Sequence, residues 1–162
     1  MGLMLSFRTS ADVEKFDKQM LKCKYTPCMM LSSCFFLYPI YYGLSCQIYG
    51  HSLLLLACWL VSINYWRNPI VSTRRNIDIV VCNSTLLLYI VDSFRYVRNP
   101  IYVIVGFPNI VLSLYVFHIS TIIFDKQQNH WWKYHVLFHF LCSINQYFLL
   151  DEMCFYNNRE HS

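Results

Sequence analysis

Two histidines four residues apart stand at the start of the last apolar run, in Trp131-Trp132-Lys133-Tyr134-His135-Val136-Leu137-Phe138-His139. On a helix that spacing puts both rings on one face. An imidazole inside a hydrophobic segment is costly unless it binds a metal, a proton or a polar partner. Catalytic zinc is usually held by three histidines, or by two histidines with a carboxylate and a water, and keeps one coordination position open. His135 and His139 supply two such ligands, His118 or His130 a third, and Asp78 either binds the metal or acts as a base on metal-bound water. A second reading uses the same histidines without metal, as hydrogen-bond partners of neighbouring helices or of bundle-bound water.

The solvent in which these residues work follows from composition. Of 162 residues, 56% are hydrophobic, 18% aromatic and only 14% charged, which excludes a water-soluble enzyme and points to a bilayer. Thirteen tyrosines, twelve phenylalanines and four tryptophans suit spans whose ends sit among lipid headgroups. The net charge of +4 is spread over loops between apolar runs, so membrane lipids are the expected partners and nucleic acid is not. Eight cysteines show no paired C-x-x-C spacing, and most fall within apolar runs, where a reduced cysteine behaves as a small hydrophobe. Cys23 and Cys28 flank the first span and are candidate S-acylation sites.

Apolar runs separated by helix-stopping signals predict an all-α polytopic membrane protein, an antiparallel bundle of about five transmembrane helices. A cytosolic N-terminal head occupies residues 1–26, the spans residues 27–150, and a polar C-terminal tail residues 151–162. Met1-Gly2-Leu3-Met4-Leu5-Ser6 in the head fits the loose N-myristoylation pattern, and no cleavable signal peptide is expected because charges follow the opening apolar residues. The five spans are expected at about Pro27–Gly43, Cys46–Trp66, Asn76–Phe94, Ile101–Phe124 and Trp131–Leu150, with Pro39 kinking the first. Asp92 is expected to pair with Arg95 at the membrane interface. The Asn83-Ser84-Thr85 sequon sits in mid-span, out of reach of a lumenal transferase. Tyr65-Trp66-Arg67-Asn68-Pro69-Ile70 and Tyr96-Val97-Arg98-Asn99-Pro100-Ile101 echo one another, as the common demand for an aromatic anchor, a basic residue and an Asn-Pro turn at a span exit would produce.

Loop charges set the expected orientation. The N-terminal head, the loop before Asn76 and the region around Lys126 and Lys133 carry ten Lys and Arg, whereas the opposite side carries Arg95, Arg98 and Arg159. The positive-inside rule then puts the N-terminus in the cytosol and the C-terminus in a lumen or outside the cell, with the endoplasmic reticulum or a membrane derived from it as the expected location. Ser62, Asp78, His118, His135 and His139 all fall toward the cytosolic side, at similar depth.

Ser62 at the end of one helix, Asp78 at the start of the next and His135-x-x-x-His139 opening the last span together resemble the superfamily of alkaline ceramidases, adiponectin and progestin receptors and related membrane hydrolases. In that family a Ser-x-x-x-His, a downstream Asp and a terminal His-x-x-x-His surround zinc at one membrane face. The resemblance implies hydrolysis of a lipid amide or ester by metal-activated water, with His135 and His139 on the metal and Ser62 and Asp78 holding and polarising the water. The chain departs from the pattern at Trp66, four residues after Ser62, where the family has its first histidine and where an indole cannot serve as an ordinary zinc ligand. The family also has seven spans. Ser62-Ile63-Asn64-Tyr65-Trp66-Arg67-Asn68-Pro69 with Arg74-Arg75-Asn76-Ile77-Asp78 is similar, besides, to small uncharacterised multipass proteins of protists and large DNA viruses, which implies no activity. Two functions are therefore expected: a relative of the zinc lipid hydrolases, or a structural, assembly or small transport protein whose histidines serve packing or proton relay.

Overall fold

The computed structural model describes Glu14, residues 25–126 and residues 130–160. The myristoylation pattern, Cys23 and the basic residues of the N-terminal head lie outside the described residues. Five helical segments follow one another, and no strand occurs among the described residues. We label them α1 (Thr26–Ser45), α2 (Tyr49–Trp66), α3 (Thr73–Tyr96), α4 (Pro100–Asp125) and α5 (Trp131–Glu160). By length and apolarity α1, α3 and α4 are able to cross a membrane, with mean hydropathies of 1.2, 1.6 and 1.8 over their most apolar stretches. Helix α5 carries more of the polar residues that the bundle encloses than any other helix, among them His139, Ser143, Gln146 and Glu152.

The surface is the reverse of a soluble protein's. Leu31, Ile104 and Val111 are about 70% exposed on the outside, while Ser33, Ser52, Ser62, Thr85, Ser113 and Ser120 are buried between helices. Small hydroxyl residues let backbones approach closely, and apolar side chains facing outward suit lipid tails. Most of the buried hydroxyls stay satisfied by donating to a carbonyl one turn back, as Ser52 does to Ile48, Thr85 to Val81 and Ser113 to Asn109.

Helix α1 changes its winding just ahead of Pro39. Proline has no N–H for the carbonyl four residues earlier, here Phe35 O. Residues Cys34–Phe36 wind as a 3-10 turn, and the freed carbonyl accepts instead from Ser143 Oγ of α5 at 2.7 Å. At the start of α4 the sequence signals act directly. Asn99 Oδ1 accepts from Ile101 N at 3.0 Å and Pro100 occupies the first turn of α4.

Helix α5 packs against α1, α3 and α4, and α2 packs against α1 and α3. Leu55, Leu149 and Leu150, fully buried, fill the end of the bundle near the α1–α2 turn, together with Phe36 and Ile40. Met29, Tyr65, Trp66, Phe124 and Trp131 fill the opposite end. Helices α3 and α4 stay apart along their backbones and meet through the stacked rings of Phe94 and Phe107, 4.8 Å between centroids.

Two expectations change. The segment from Asp151, expected as a polar tail, continues α5 as helix to Glu160. Tertiary bonds hold it: Tyr42 and Tyr102 donate to the two carboxylate oxygens of Asp151 at 2.5 and 2.6 Å, and Arg98 N donates to Glu152. The second correction concerns the cysteines, two of which are not reduced hydrophobes: Cys46 in the α1–α2 turn and Cys154 on α5 form a disulfide across 108 residues.

Candidate functional site

At the end of the bundle away from this disulfide, a cavity of about 230 Å³ lies among α2, α3, α4 and α5. Ser62, Asp78, His135 and His139 all line it, although three different helices supply them. Helix periodicity explains each contribution. Cys58, Ser62 and Trp66 stand four residues apart along one face of α2, Asp78 and Cys82 along one face of α3, and His135, His139, Cys142 and Gln146 along one face of α5.

Ser62 Oγ donates to Asp78 Oδ1 at 2.6 Å, and Cys82 Sγ donates to the same oxygen at 3.4 Å. Cys58 and Cys82 touch through their sulfurs at 3.2 Å, so the α2–α3 wall is a compact cluster of polar and thiol groups around one carboxylate. On the opposite wall His139 Nδ1 lies 2.8 Å from Ser32 Oγ of α1. The single hydroxyl proton of Ser32 goes to Met29 O, also at 2.8 Å. Nδ1–H must then donate to Ser32, which leaves Nε2 with its lone pair. His135 sits in an aromatic box, its ring centroid 5.3 Å from Trp66, 6.1 Å from Trp131 and 4.8 Å from His139.

His118 is exposed on the outer side of α4 and does not line the cavity. The inward stripe of α4 runs through Gly106, Ser113, Val116, Ser120 and Phe124, and a residue two positions from Val116 points to the opposite side of a helix. His130 is likewise exposed, just ahead of α5. Trp66 is buried in the cavity wall, at the position where the resembling family has a histidine. Two imidazoles and a carboxylate are the ligand types of a catalytic zinc site, but here Ser62 and Cys82 hold Asp78 Oδ1 on the wall facing His139. Among the described residues no group of three or more His, Cys, Asp or Glu is placed to hold a metal ion.

Several participants were not singled out from the sequence. Ser32 orients His139, and Gln146 extends the α5 face inward with its Oε1 buried and without a hydrogen-bond partner among the described residues. Gln146 was findable, since it continues the His135–His139 stripe at helical spacing, whereas Ser32, 107 residues from its partner, was not. Asp92 does approach Arg95, at 3.6 Å, but lies closer to His51 of α2, at 3.0 Å.

No protein-family model, curated protein or solved structure matches the chain. What the fold and the site define is an all-helical protein, among its described residues, with three helices long and apolar enough to cross a membrane and a cavity lined by His, Asp and Ser.

Proposed function

We propose that this is a five-span integral membrane protein that takes an amphiphilic lipid into the cavity, its polar end toward Ser62, Asp78, His135 and His139. The observation that carries this reading is that these four residues, scattered over the chain, line one space. Most of the remaining lining is aromatic or thiol-bearing, as a site for a largely apolar guest requires. Helices α3 and α4 both contribute to the lining, and the stacked rings of Phe94 and Phe107 that join them lie toward the other end of the bundle, which leaves an acyl chain a sideways route from the bilayer beside the cavity. A cytosolic cavity end agrees with the basic residues Arg67, Arg74, Arg75 and Lys126 there, and an oxidising compartment at the other end agrees with the Cys46–Cys154 disulfide.

A photoactivatable fatty amide or ester added to the purified protein tests the reading. Competable labelling of α3 and α4 residues that face the cavity is the expected result, and labelling spread evenly over the outer surface would overturn it.

The same four residues also favour a second reading, zinc-dependent hydrolysis of a lipid amide or ester, with Trp66 against it. Metal analysis of detergent-purified protein separates the two. Stoichiometric zinc, lost in both His135→Ala and His139→Ala, would establish the metal reading, and metal-free protein that still takes the lipid probe would exclude it.

A further inference from the structure

Cys58 of α2 and Cys82 of α3 meet in the cavity wall with their sulfurs 3.2 Å apart. A disulfide is about 2.05 Å long, so a relative shift of about 1 Å between two side chains joins them. Their protons are already ordered. Asp78 Oδ1 takes the single proton of Cys82, at 3.4 Å, so it is Cys58 that donates its S–H to Cys82 Sγ. Cys82 thus has a proton acceptor in contact with it, and Cys58 is placed to support the thiolate, which is the nucleophilic form of the group.

Depth decides which reactants meet this pair. Cys82 stands nine residues into α3, about 14 Å at 1.5 Å per residue, and Cys58 is 5% exposed and about two turns from the end of α2. Both sulfurs then lie inside a hydrocarbon layer of about 30 Å, which charged oxidants and thiols enter poorly. A guest dissolved in the bilayer does reach them, because the lining that receives its polar end includes this thiol pair beside Ser62, Asp78 and the two histidines. An acid–base group on one sulfur and a second thiol in contact with it are what stepwise reduction of an O–O bond requires.

We propose that Cys82 and Cys58 reduce a lipid hydroperoxide held in the cavity, a proposal that rests on the lipid reading above and names the polar end of the guest. Asp78 takes the Cys82 proton as the sulfur attacks the terminal peroxide oxygen. The S–O bond forms, the O–O bond breaks, and the departing alkoxide receives that proton from Asp78 to become the lipid alcohol. Cys82 is left as a sulfenic acid. Cys58 attacks it, which forms the Cys58–Cys82 disulfide and releases water made from the sulfenic hydroxyl and the Cys58 proton. Two thiols and one hydroperoxide give one disulfide, one alcohol and one water, the two electrons coming from the sulfurs.

The test adds one equivalent of linoleic acid hydroperoxide to the full chain in detergent, purified under nitrogen. One hydroxy fatty acid per chain is expected, with a Cys58–Cys82 bridge located by differential alkylation and peptide mass spectrometry. Cys58→Ser should still reduce one equivalent but stop at a sulfenic acid on Cys82, trapped by dimedone, and Cys82→Ser should reduce none. Asp78→Asn should react roughly tenfold or more slowly, and Cys34→Ser, outside the cavity lining, as wild type does. Hydrogen peroxide, which has no acyl chain, should also react much more slowly than the lipid. Retention of the Cys46–Cys154 disulfide and of a monodisperse elution profile certifies that each variant is folded. Hydroperoxide left intact by folded wild type, reduction that persists in Cys82→Ser, or hydrogen peroxide reacting as fast as the lipid would overturn the proposal. Competable labelling by the photoactivatable lipid in protein that leaves the hydroperoxide intact would overturn the reaction alone and leave the lipid reading standing.

Discussion

Ser62 and Asp78 are joined by a 2.6 Å hydrogen bond that ties α2 to α3 in the wall of the cavity. The bond does two things at once. It fixes the angle at which the α2 exit meets the α3 start, and it occupies one lone pair of the carboxylate that a metal or a substrate would otherwise use.

Ser62→Ala should therefore destabilise the bundle. A polar bond between membrane helices contributes about 1 kcal/mol, and more when an acceptor is left buried. The loss is measured by unfolding in mixed micelles with a denaturing detergent. Asp78→Asn, which still accepts from Ser62, should cost less; equal losses would show that the carboxylate's charge rather than the hydrogen bond matters.

Gly43 and Gly50 give opposite predictions for the same substitution. A Cβ at Gly43 would run into Ser52 Oγ and press on Leu150 at 3.3 Å, whereas at Gly50 nothing lies within 4 Å. Gly43→Ala should lower stability by about 1–3 kcal/mol through overpacking. Gly50→Ala, in the first turn of α2, should be neutral or stabilising by up to about 1 kcal/mol, because alanine is the better helix former. Thermal scans of the two variants side by side decide it.

Removing the disulfide should cost about 2–4 kcal/mol, since it closes a long loop. Cys154→Ser should melt lower than wild type in non-reducing buffer and equal to it after reduction. Intact-mass measurement before and after reduction, with a gain of two hydrogen atoms in wild type and none in Cys154→Ser or Cys46→Ser, checks the pairing of Cys46 with Cys154.

Trp66→His places a third imidazole in the wall beside His135, whose ring the indole now faces at 5.3 Å. The variant should bind zinc with a stoichiometry near one where wild type binds none, read by metal analysis after dialysis and by titration against a chromophoric chelator. Zinc bound equally by both proteins would show that the indole is no obstacle.

Much of the fold was legible along the chain. The expected first span at Pro27–Gly43 and the observed α1 at Thr26–Ser45 differ by a residue or two at each end, as do the ends of α4, because Pro27 and Pro100 are helix-start signals that act through local geometry alone. The C-terminal end of α5 was not legible. Asp151 and Glu152 look like the start of a solvated tail until Tyr42, Tyr102 and Arg98 N are found around them, and those partners lie 49 to 109 residues away.

The candidate site divides in the same way. Spacing alone puts His135 with His139 on one face, because a helix repeats every 3.6 residues whatever it packs against. His118 shows the limit of residue type as a guide: a histidine in an apolar span invites a ligand's role, yet Gly106, Ser113 and Ser120 mark the inward side of α4 and leave His118 on the other. That stripe of small residues was present in the sequence and was the better signal.

By itself the sequence determined the helices, the apolar character of their outer faces and the alignment of polar residues along each one, since these depend on local dihedral preference, periodicity and transfer to lipid. Only the tertiary structure decided which faces meet. The pairing of Ser62 with Asp78, of Ser32 with His139 and of Cys46 with Cys154 depends on how each helix is rotated about its axis. That rotation is set by close packing, as where Gly43 meets Ser52 and Leu150 and where Leu149 and Leu150 fill the core.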